Sequence, residues 1–195
     1  MDKKCYRFYG GLIASQEKWL NRMAKKGYRL IRAGKLFYEF EECKPGQVQY
    51  CVEFIGQKSK ESAADYARFL EDCGYHVFFK NINLNWSVGK AVVRPWADKG
   101  GRIATNSTTF NRELLIVEKE NDGKPFQLHT TYEDKQDYIK NMRKPWLFLF
   151  IVSAVLGIAM RQLVWGIFAV ISLIGLIVFQ LELRKLKKKA DIKEM

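Results

Sequence analysis

The chain has 195 residues, 48% of them hydrophobic, and its formal net charge at pH 7 is +12. At this length, one or two domains are expected. The apolar residues are unevenly distributed, because residues 146–181 carry a single formal charge, Arg161. Residues 1–144 are polar and mixed, so the chain is expected to have a soluble part followed by a membrane part.

Basic residues are concentrated near the N-terminus, where residues 3–35 contain ten Lys or Arg and one acidic residue, Glu17. Such a block suits an anionic surface, which can be lipid head groups, nucleic acid or an acidic partner. The simpler interpretation is a solvated basic face close to an anionic membrane, so membrane lipids are the partner we expect first.

The soluble part begins with the order strand, helix, strand, strand, strand. Residues Lys4–Tyr9 alternate in polarity and predict a strand, and Ser15 can cap a helix that runs to about Lys26. Gly27 stands where a helix ends in the left-handed conformation. The following strands are predicted at Tyr28–Arg32, Leu36–Glu41 and Val48–Ile55, with turns at residues 34–35 and 44–47.

A second helix is predicted from about Lys60 to Cys73, with Gly74 at its end and a strand at Tyr75–Lys80. Both helices stop at a glycine, and an aromatic residue opens the strand that follows. Two strand–helix–strand units in sequence predict an α+β domain with a ferredoxin-like antiparallel sheet and both helices on one face.

The remainder of the soluble part is less regular. Residues 81–112 fit either a strand pair or a mobile loop, whereas Glu113–Glu120 predicts a strand and residues 121–124 a turn. Residues Asp134–Arg143 predict a helix that leads into the apolar segment. We therefore assign residues 1–143 to a cytosolic α+β domain.

Two apolar runs follow, Trp146–Met160 and Leu163–Leu181. A helix of about 20 residues crosses the hydrocarbon core of a bilayer, and the first run reaches that length only if Arg161 snorkels to the far interface. We predict a transmembrane hairpin over residues 144–183, with spans at about 146–161 and 163–181 and a tight turn between them. A single long buried or re-entrant element is the alternative.

Basic residues on both flanks predict the orientation. Residues 143–144 before the first span and the basic tail, residues 184–195, are expected in the cytoplasm, as in a multi-pass protein of the cell membrane with both termini inside. The spans contain no acidic residue or histidine, so an intramembrane proton relay is not expected. The residues expected at the membrane boundaries are Trp146, Arg161, Trp165, Arg184, Lys185 and Lys187.

Motifs of catalysis and metal binding are missing from the sequence, which has no Walker loop, GxGxxG, GxSxG, HExxH or CxxC. We interpret His76 and His129 as structural, and Glu39 and Glu41 as residues of a solvated sheet face. No apolar segment near residue 1 resembles a signal peptide, so we expect reduced thiols. The sequence thus predicts no enzyme, no cofactor and no metal. The four cysteines are Cys5, Cys43, Cys51 and Cys73.

Aromatic residues populate the predicted strands, and alternation along a strand places part of them on the face that the helices leave open. An outward aromatic face with basic neighbours can dock a protein partner or a second copy of the chain, stack nucleic-acid bases or border a ligand pocket. Nucleic acid is the least natural of these for a membrane-tethered domain. The residues expected on this interaction surface are Phe8, Tyr38, Phe40 and Tyr50.

Several short segments of the soluble part occur together in one bacterial family. They are Tyr6-Arg7-Phe8, Glu17-Lys18-Trp19-Leu20, Met23-Ala24-Lys25-Lys26-Gly27-Tyr28, Phe37-Tyr38-Glu39-Phe40, Pro45-Gly46, Tyr50, Leu70-Glu71-Asp72-Cys73-Gly74-Tyr75, Pro125-Phe126-Gln127-Leu128-His129-Thr130 and Lys135. On these segments, residues 3–143 resemble the domain-of-unknown-function family 2812, although residues 84–112 are longer than its usual pattern.

The resemblance implies no established activity. It implies membrane helices after the domain and an association with PadR-type transcription regulators, and therefore a regulatory role. Together with the residues, it predicts a membrane-anchored, non-enzymatic regulatory or protein-interaction module. The alternative is a membrane-tethered sensor whose α+β domain binds a small ligand.

Overall fold

The computed structural model describes residues 3–98, 101–105, 107–128 and 132–194. The chain divides into two compact units, Met1–His129 and Thr130–Met195. In chain order, the described elements are β1 (Lys3–Tyr6), α1 (Ile13–Lys25), β2 (Tyr28–Ala33), β3 (Phe37–Glu42), β4 (Val48–Phe54), α2 (Lys60–Asp72), β5 (His76–Lys80), β6 (Trp86–Val88), β7 (Ala91–Val93), β8 (Ile103–Ala104), β9 (Leu114–Glu120), α3 (Tyr132–Met160) and α4 (Leu163–Glu194).

The strands of the first unit pair antiparallel within three sheets, in the orders β1-β3-β2, β4-β9-β5 and β6-β7-β8. In the first two sheets a strand–helix–strand unit contributes the outer strands, and a later strand pairs between them. The α+β class is therefore confirmed. The ferredoxin-like arrangement is not confirmed, because β3 and β9 are the centres of two separately hydrogen-bonded sheets. The β4–β9 pairing joins Val48 to Glu120, a separation that a local pattern does not reveal.

The two helices of this unit begin differently. Helix α1 starts at Ile13, so Ser15 lies inside its first turn and the prediction that Ser15 caps the helix is wrong; Leu12 precedes the helix without a side-chain hydrogen bond. Helix α2 has a side-chain cap, because the Ser59 hydroxyl accepts a hydrogen bond from the Ser62 N–H at 3.1 Å. A capped start satisfies one of the N–H groups that a helix leaves unpaired.

Glycine ends both helices as predicted. Gly27 has φ +81° and Gly74 has φ +86°, the left-handed region in which a Cβ is strained. A Cβ at Gly27 would also lie 2.9 Å from the carbonyl oxygen of Cys43. Position 27 therefore requires glycine for both conformation and space.

The core consists of two clusters on opposite faces of the β4-β9-β5 sheet. Leu114 and Ile116 of β9 belong to the first cluster, and Leu115 and Val117, which alternate with them, belong to the second. The first cluster also holds side chains of α1, β2, β3 and β4, and the second holds those of α2. Because both of its faces are covered, β9 reads as a continuous apolar run.

A buried polar group connects the first two sheets. The Tyr50 hydroxyl accepts a hydrogen bond from the Leu30 N–H at 2.7 Å and donates one to Glu118 at 2.7 Å. Arg29 Nε donates to the other oxygen of Glu118 at 2.8 Å. Burial raises the pKa of Tyr50, so the phenol remains a donor at physiological pH. The Glu118 carboxylate, 1% exposed, is thus compensated by a cation and a phenol.

Residues 81–112 contain the small β6-β7-β8 sheet, so of the two alternatives for this segment the structure shows paired strands. Glu113 follows it and is fully buried. Its carboxylate accepts hydrogen bonds from the Ile82 N–H at 3.1 Å, the Asn85 amide and the Asn111 N–H. Burial raises the pKa of Glu113, and these hydrogen bonds oppose that rise. The arrangement ties the segment to the start of β9.

The second unit is a helical hairpin. Arg161, at φ +49°, and Gln162 separate α3 from α4. A Cβ at Gly175 would lie 2.4 Å from the Trp146 ring, so the indole of α3 packs directly on the backbone of α4. Near this contact, Arg143 of α3 donates a hydrogen bond to the Gln180 side chain of α4. These two contacts set the register of the antiparallel pair.

Pro145 lies inside α3. The helix begins at Tyr132, so the predicted helix Asp134–Arg143 and the first apolar run are one continuous helix. The proline has no N–H to donate, and the helix continues through it without that hydrogen bond.

Both helices of the second unit are long and apolar enough to cross a membrane. The candidate spans are Lys135–Met160, with a mean hydropathy of 1.5, and Leu163–Lys187, with 2.4. Only 11% of the most apolar stretch of each is buried. Core helices of soluble proteins bury such side chains, whereas helices in lipid expose them. The structure thus supports two helices that can span a bilayer.

Candidate functional site

The predicted aromatic surface is largely part of the core. Tyr38, Phe40 and Tyr50 are 1%, 0% and 2% exposed and belong to the first core cluster, so their assignment to an interaction surface is wrong. Phe8 is 61% exposed. The sequence did contain the signal: Glu39 was placed on a solvated face, and strand alternation then puts its neighbours in β3 on the buried face.

The aromatic residues that face outward are different ones. Tyr6, 71% exposed, lies edge-on to Phe37 with 6.3 Å between ring centroids. Lys4 and Arg32 lie over the Phe37 ring at 4.1 and 5.5 Å from its centroid, and both contact Glu39. The outer face of the first sheet is therefore a set of aromatic rings and internally paired charges.

Polar side chains converge elsewhere, in a recess too narrow to admit a water-sized sphere; its ≈ 200 Å³ of empty space includes open solvent. It lies where the loop after β1 enters α1 and where β5 ends. Gly10 and Gly11, at φ +53° and +87°, turn the chain along one wall. The polar side chains that line the recess are Arg7, Tyr9, Gln16, Lys80, Asn81 and Asn83.

Lys80 is the central cation of this recess and is 3% exposed. Its ammonium group donates hydrogen bonds to the carbonyl oxygens of Gly34 and Lys35 and lies 4.8 Å from the centroid of the Tyr38 ring. Within the described residues, no carboxylate forms an ion pair with it. Burial lowers the pKa of Lys80 to about 8. A charge held in this way is unusual in a structural position.

Three buried polar atoms of the recess have no hydrogen-bond partner within the described parts of the chain: Gln16 Nε2, the Tyr9 hydroxyl and Asn83 Oδ1. Gln16 is 2% exposed. The orientation of the Asn83 amide is determined by its Nδ2, which donates to the Lys35 carbonyl at 2.8 Å. Buried polar groups are normally paired, so this concentration marks a place where a bound molecule can supply the partners.

Other candidate residues do not assemble into a catalytic or metal site. Among the residues described, no group of three or more His, Cys, Asp or Glu is placed to hold a metal ion. His76 is an exposed residue of β5, and His129 lies outside the described residues. The cysteines are not joined in disulfides. Glu39 is paired with Lys4 at 3.1 Å, which agrees with a solvated sheet face.

The residues predicted at the membrane boundaries occupy distinct places in the hairpin. Arg161 is exposed in the turn, and Arg184, Lys185 and Lys187 are exposed near the end of α4. Trp146, which the sequence predicts at a membrane boundary, packs its ring on Gly175 and thus contributes to the contact between the two helices. The ring of Trp165 lies near that of Phe168, with 6.2 Å between centroids.

A groove runs along the surface of the hairpin at the end opposite the turn. It measures ≈ 720 Å³ with open solvent included. Arg143, Gln180 and Arg184 line its polar end, and four apolar side chains line the rest: Leu147, Leu176, Ile177 and Leu181.

One comparison with known proteins gives a match. The model of the family described as "Protein of unknown function (DUF2812)" matches residues 13–151, which includes all of the α+β domain from α1 onward and confirms the resemblance seen in the sequence. No curated protein and no solved structure matches the chain.

Proposed function

This chain belongs to the DUF2812 family, and we propose that it is a membrane-anchored sensor whose α+β domain binds a small anionic ligand in the Lys80 recess. The protein is proposed to be non-enzymatic and regulatory, with the hairpin as its anchor. This was the alternative function in the sequence analysis. It replaces the aromatic docking surface because three of the four residues assigned to that surface are buried.

The observation that carries the proposal is a buried cation surrounded by polar atoms without partners. Among the described residues, Lys80 donates its hydrogen bonds to carbonyl oxygens alone, and Arg7 beside it lies over the Trp19 ring at 5.5 Å. The side chains that the structure places around the recess include no acidic residue. Burying a cation without an anion is costly, and a bound anion would offset that cost. The recess is therefore expected to favour negatively charged ligands.

The unpaired atoms narrow the ligand chemistry. Gln16 Nε2 needs an acceptor, whereas Asn83 Oδ1 needs a donor. Hydrogen phosphate offers both, since it keeps an O–H beside its acceptor oxygens at neutral pH, whereas a phosphomonoester is mostly the dianion and offers acceptors alone. A carboxylate offers acceptors alone. No water-sized sphere fits between the lining side chains in the unliganded chain, so room for the phosphate must come from movement of those side chains.

The membrane part of the proposal is supported by the two long apolar helices and by their basic flanks. Excess Lys and Arg marks cytoplasmic segments, so both termini and the α+β domain are proposed to be cytoplasmic. The N-terminal basic block is partly paired inside the domain, for example Arg29 with Glu118 and Arg32 with Glu39. This pairing favours an anchored sensor over a nucleic-acid-binding protein.

The proposal that ligand binding is transmitted to a partner rests on the sequence. A protein partner or a second copy of the chain would receive the signal, and a PadR-type regulatory system remains a prediction of the family resemblance. The exposed Tyr6–Phe37 pair offers a surface for such a contact.

Thermal unfolding of the full chain in phosphatidylcholine nanodiscs tests the proposal. We expect inorganic phosphate, or the low-molecular-mass fraction of an extract of the host cells, to raise the unfolding temperature of the wild type. Lys80→Met and Gln16→Leu should abolish the rise, and Lys60→Met, at an exposed position of α2, should retain it. A rise that persists in Lys80→Met, or no rise with either probe, would contradict the proposal.

A further inference from the structure

The groove of the hairpin has the polarity gradient of a phospholipid. Residues 176, 180 and 184 of α4 are spaced one helical turn apart, about 6 Å each, and they change from leucine to glutamine to arginine. On α3, Leu147 and Arg143 show the same change in the same direction along the hairpin, since α3 runs antiparallel to α4. The groove is thus apolar toward the turn and cationic at its other end.

Arg143 is oriented across this cationic end by a neighbouring helix. Its guanidinium donates to the Gln180 side chain, which holds it between the two helices. Gln180 and Arg184 lie on one face of α4 at i, i+4 spacing. Two guanidinium groups therefore border one end of the groove, and no acidic residue lines it. Arginine pairs well with phosphate because its planar fork donates two parallel hydrogen bonds.

The apolar end of the groove lacks protein contacts that would bury it. Leu147, Ile177 and Leu181 are 45%, 50% and 46% exposed. In a bilayer these side chains contact acyl chains, and a groove between two helices is a place where one chain can lie along both. The size, ≈ 720 Å³ with open solvent included, accommodates a segment of lipid.

We propose that the groove is a binding site for one anionic phospholipid, with its phosphate between Arg143 and Arg184 and an acyl chain along Leu147 and Ile177. The inference rests on the membrane anchor of the proposed function and is independent of the recess in the α+β domain. Charge complementarity selects an anionic lipid over a zwitterionic one, because choline would place a third cation beside the two arginines.

Native mass spectrometry of the full chain, released from nanodiscs of mixed phosphatidylglycerol and phosphatidylcholine, tests this site. We expect one phosphatidylglycerol to be retained in preference to phosphatidylcholine. Arg143→Gln and Arg184→Gln should each lower that preference about fivefold. Arg161→Gln, which removes an arginine from the turn at the other end of the hairpin, is the matched control and should leave it unchanged.

Two further measurements separate the contribution of the lipid phosphate to binding from that of the acyl chain. Soluble glycerol 3-phosphate should not displace the lipid, because it lacks the chain, and Ile177→Trp should reduce retention by filling the groove. Equal retention of both lipids, or equal effects of Arg143→Gln and Arg161→Gln, would overturn the site while leaving the anchor intact. A chain that stays soluble without detergent or nanodiscs would instead remove both the site and the anchor.

Discussion

At the scale of single residues, side chains of the same type have opposite roles at different places in the first unit. Lys4 is an exposed lysine that pairs with Glu39, whereas Lys80 is buried against carbonyl oxygens. Phe8 is exposed, whereas Phe40 packs at 5.5 Å from the Trp19 ring. Composition distinguishes neither pair, although strand alternation around Glu39 does indicate that Phe40 is buried. The environment of each residue therefore decides what a substitution does.

The pH dependence of stability should report the state of Lys80. Its pKa of about 8 in the folded protein lies below the ordinary value of 10.5, so the unfolded chain binds more protons between these pH values. Stability contributed by this site is therefore expected to rise as the pH increases from about 8 to 10.5, by at most about 3 kcal/mol.

Urea unfolding of the full chain at pH 7.5 and 9.5, compared with Lys80→Met, isolates this contribution. The other titrating groups occur in both proteins and cancel in the difference. The wild type should gain stability relative to Lys80→Met at the higher pH. A difference that does not change with pH would show that the lysine is not held in the charged, desolvated state described.

Phe40 and Phe8 allow the same substitution to be compared at a buried and at an exposed position. Phe40→Asp places a carboxylate inside the core and removes an aromatic contact, and we expect a loss of more than about 4 kcal/mol or a failure to fold. Phe8→Asp makes the same change at an exposed site and should cost less than about 1 kcal/mol. Expression level and urea unfolding measure both. Similar losses at the two positions would contradict the assigned burial.

At the scale of elements, α1 covers the open edge of β4. Glu17 accepts a hydrogen bond from the Val52 N–H at 2.9 Å, and Asn21 both accepts from the Tyr50 N–H at 2.9 Å and donates to the Tyr50 carbonyl at 2.8 Å. The spacing of Glu17 and Asn21 along α1 matches that of Val52 and Tyr50 along β4, because four residues of a helix and two of a strand both advance about 6 Å. Uncovered strand edges promote edge-to-edge association, so this contact protects the sheet.

Removing the amide should expose that edge. Asn21→Ala leaves both backbone groups of Tyr50 without their partner, and we expect a loss of about 1–3 kcal/mol. Amide hydrogen exchange at Tyr50 should accelerate with it. Lys18→Ala, an exposed position of the same helix, should change neither property, and an unaltered exchange rate in Asn21→Ala would show that the edge is protected by something else.

The hairpin depends on one close approach between its helices. A Cβ at Gly175 would overlap the Trp146 ring, whereas nothing lies within 4 Å of a Cβ at Gly166. Gly175→Ala should therefore destabilise the hairpin by about 1–3 kcal/mol, and Gly166→Ala should not.

The resistance of the purified full chain to SDS, followed by tryptophan emission, measures this effect. Trp146→Ala should partly rescue Gly175→Ala because the two changes relieve the same overlap. Additive losses in the double variant would mean that the indole and the glycine do not pack on each other.

At the scale of the whole molecule, the chain contains two units whose surfaces differ in polarity. The first has two core clusters of buried side chains, and the second exposes apolar side chains along most of its length. Basic residues are concentrated in the last part of α4, and a single arginine occupies the turn. This distribution favours an anchor whose turn faces the outside, because Lys and Arg are retained on the cytoplasmic side.

Cysteine labelling of intact cells tests that orientation. The native cysteines all lie in the first unit, and Cys73 is exposed there. An impermeant maleimide should label Arg161→Cys in intact cells and the wild type only after permeabilisation. Labelling of the wild-type chain in intact cells would place the α+β domain outside and reverse the proposed topology.

The amino-acid sequence by itself determined most of the helices and strands outside residues 81–112, the glycines 27 and 74 at which two helices end, and the two apolar helices that follow the α+β domain. These features depend on periodicity and on the conformational limits of single residues, which are local. Family membership also followed from short local segments and was confirmed by the family match.

Only the tertiary structure decided the pairing of β9 between β4 and β5, the contacts of the Tyr50 hydroxyl with Leu30 and Glu118, and the convergence on Lys80. In the sequence, Lys80 is an ordinary last residue of a strand, and Gln16 and Asn83 are 67 positions apart. Their proximity arises from contacts between distant segments, whose free energy depends on packing that no local pattern encodes. The physical reason is that burial is a property of the assembled core, whereas propensity is a property of the residue.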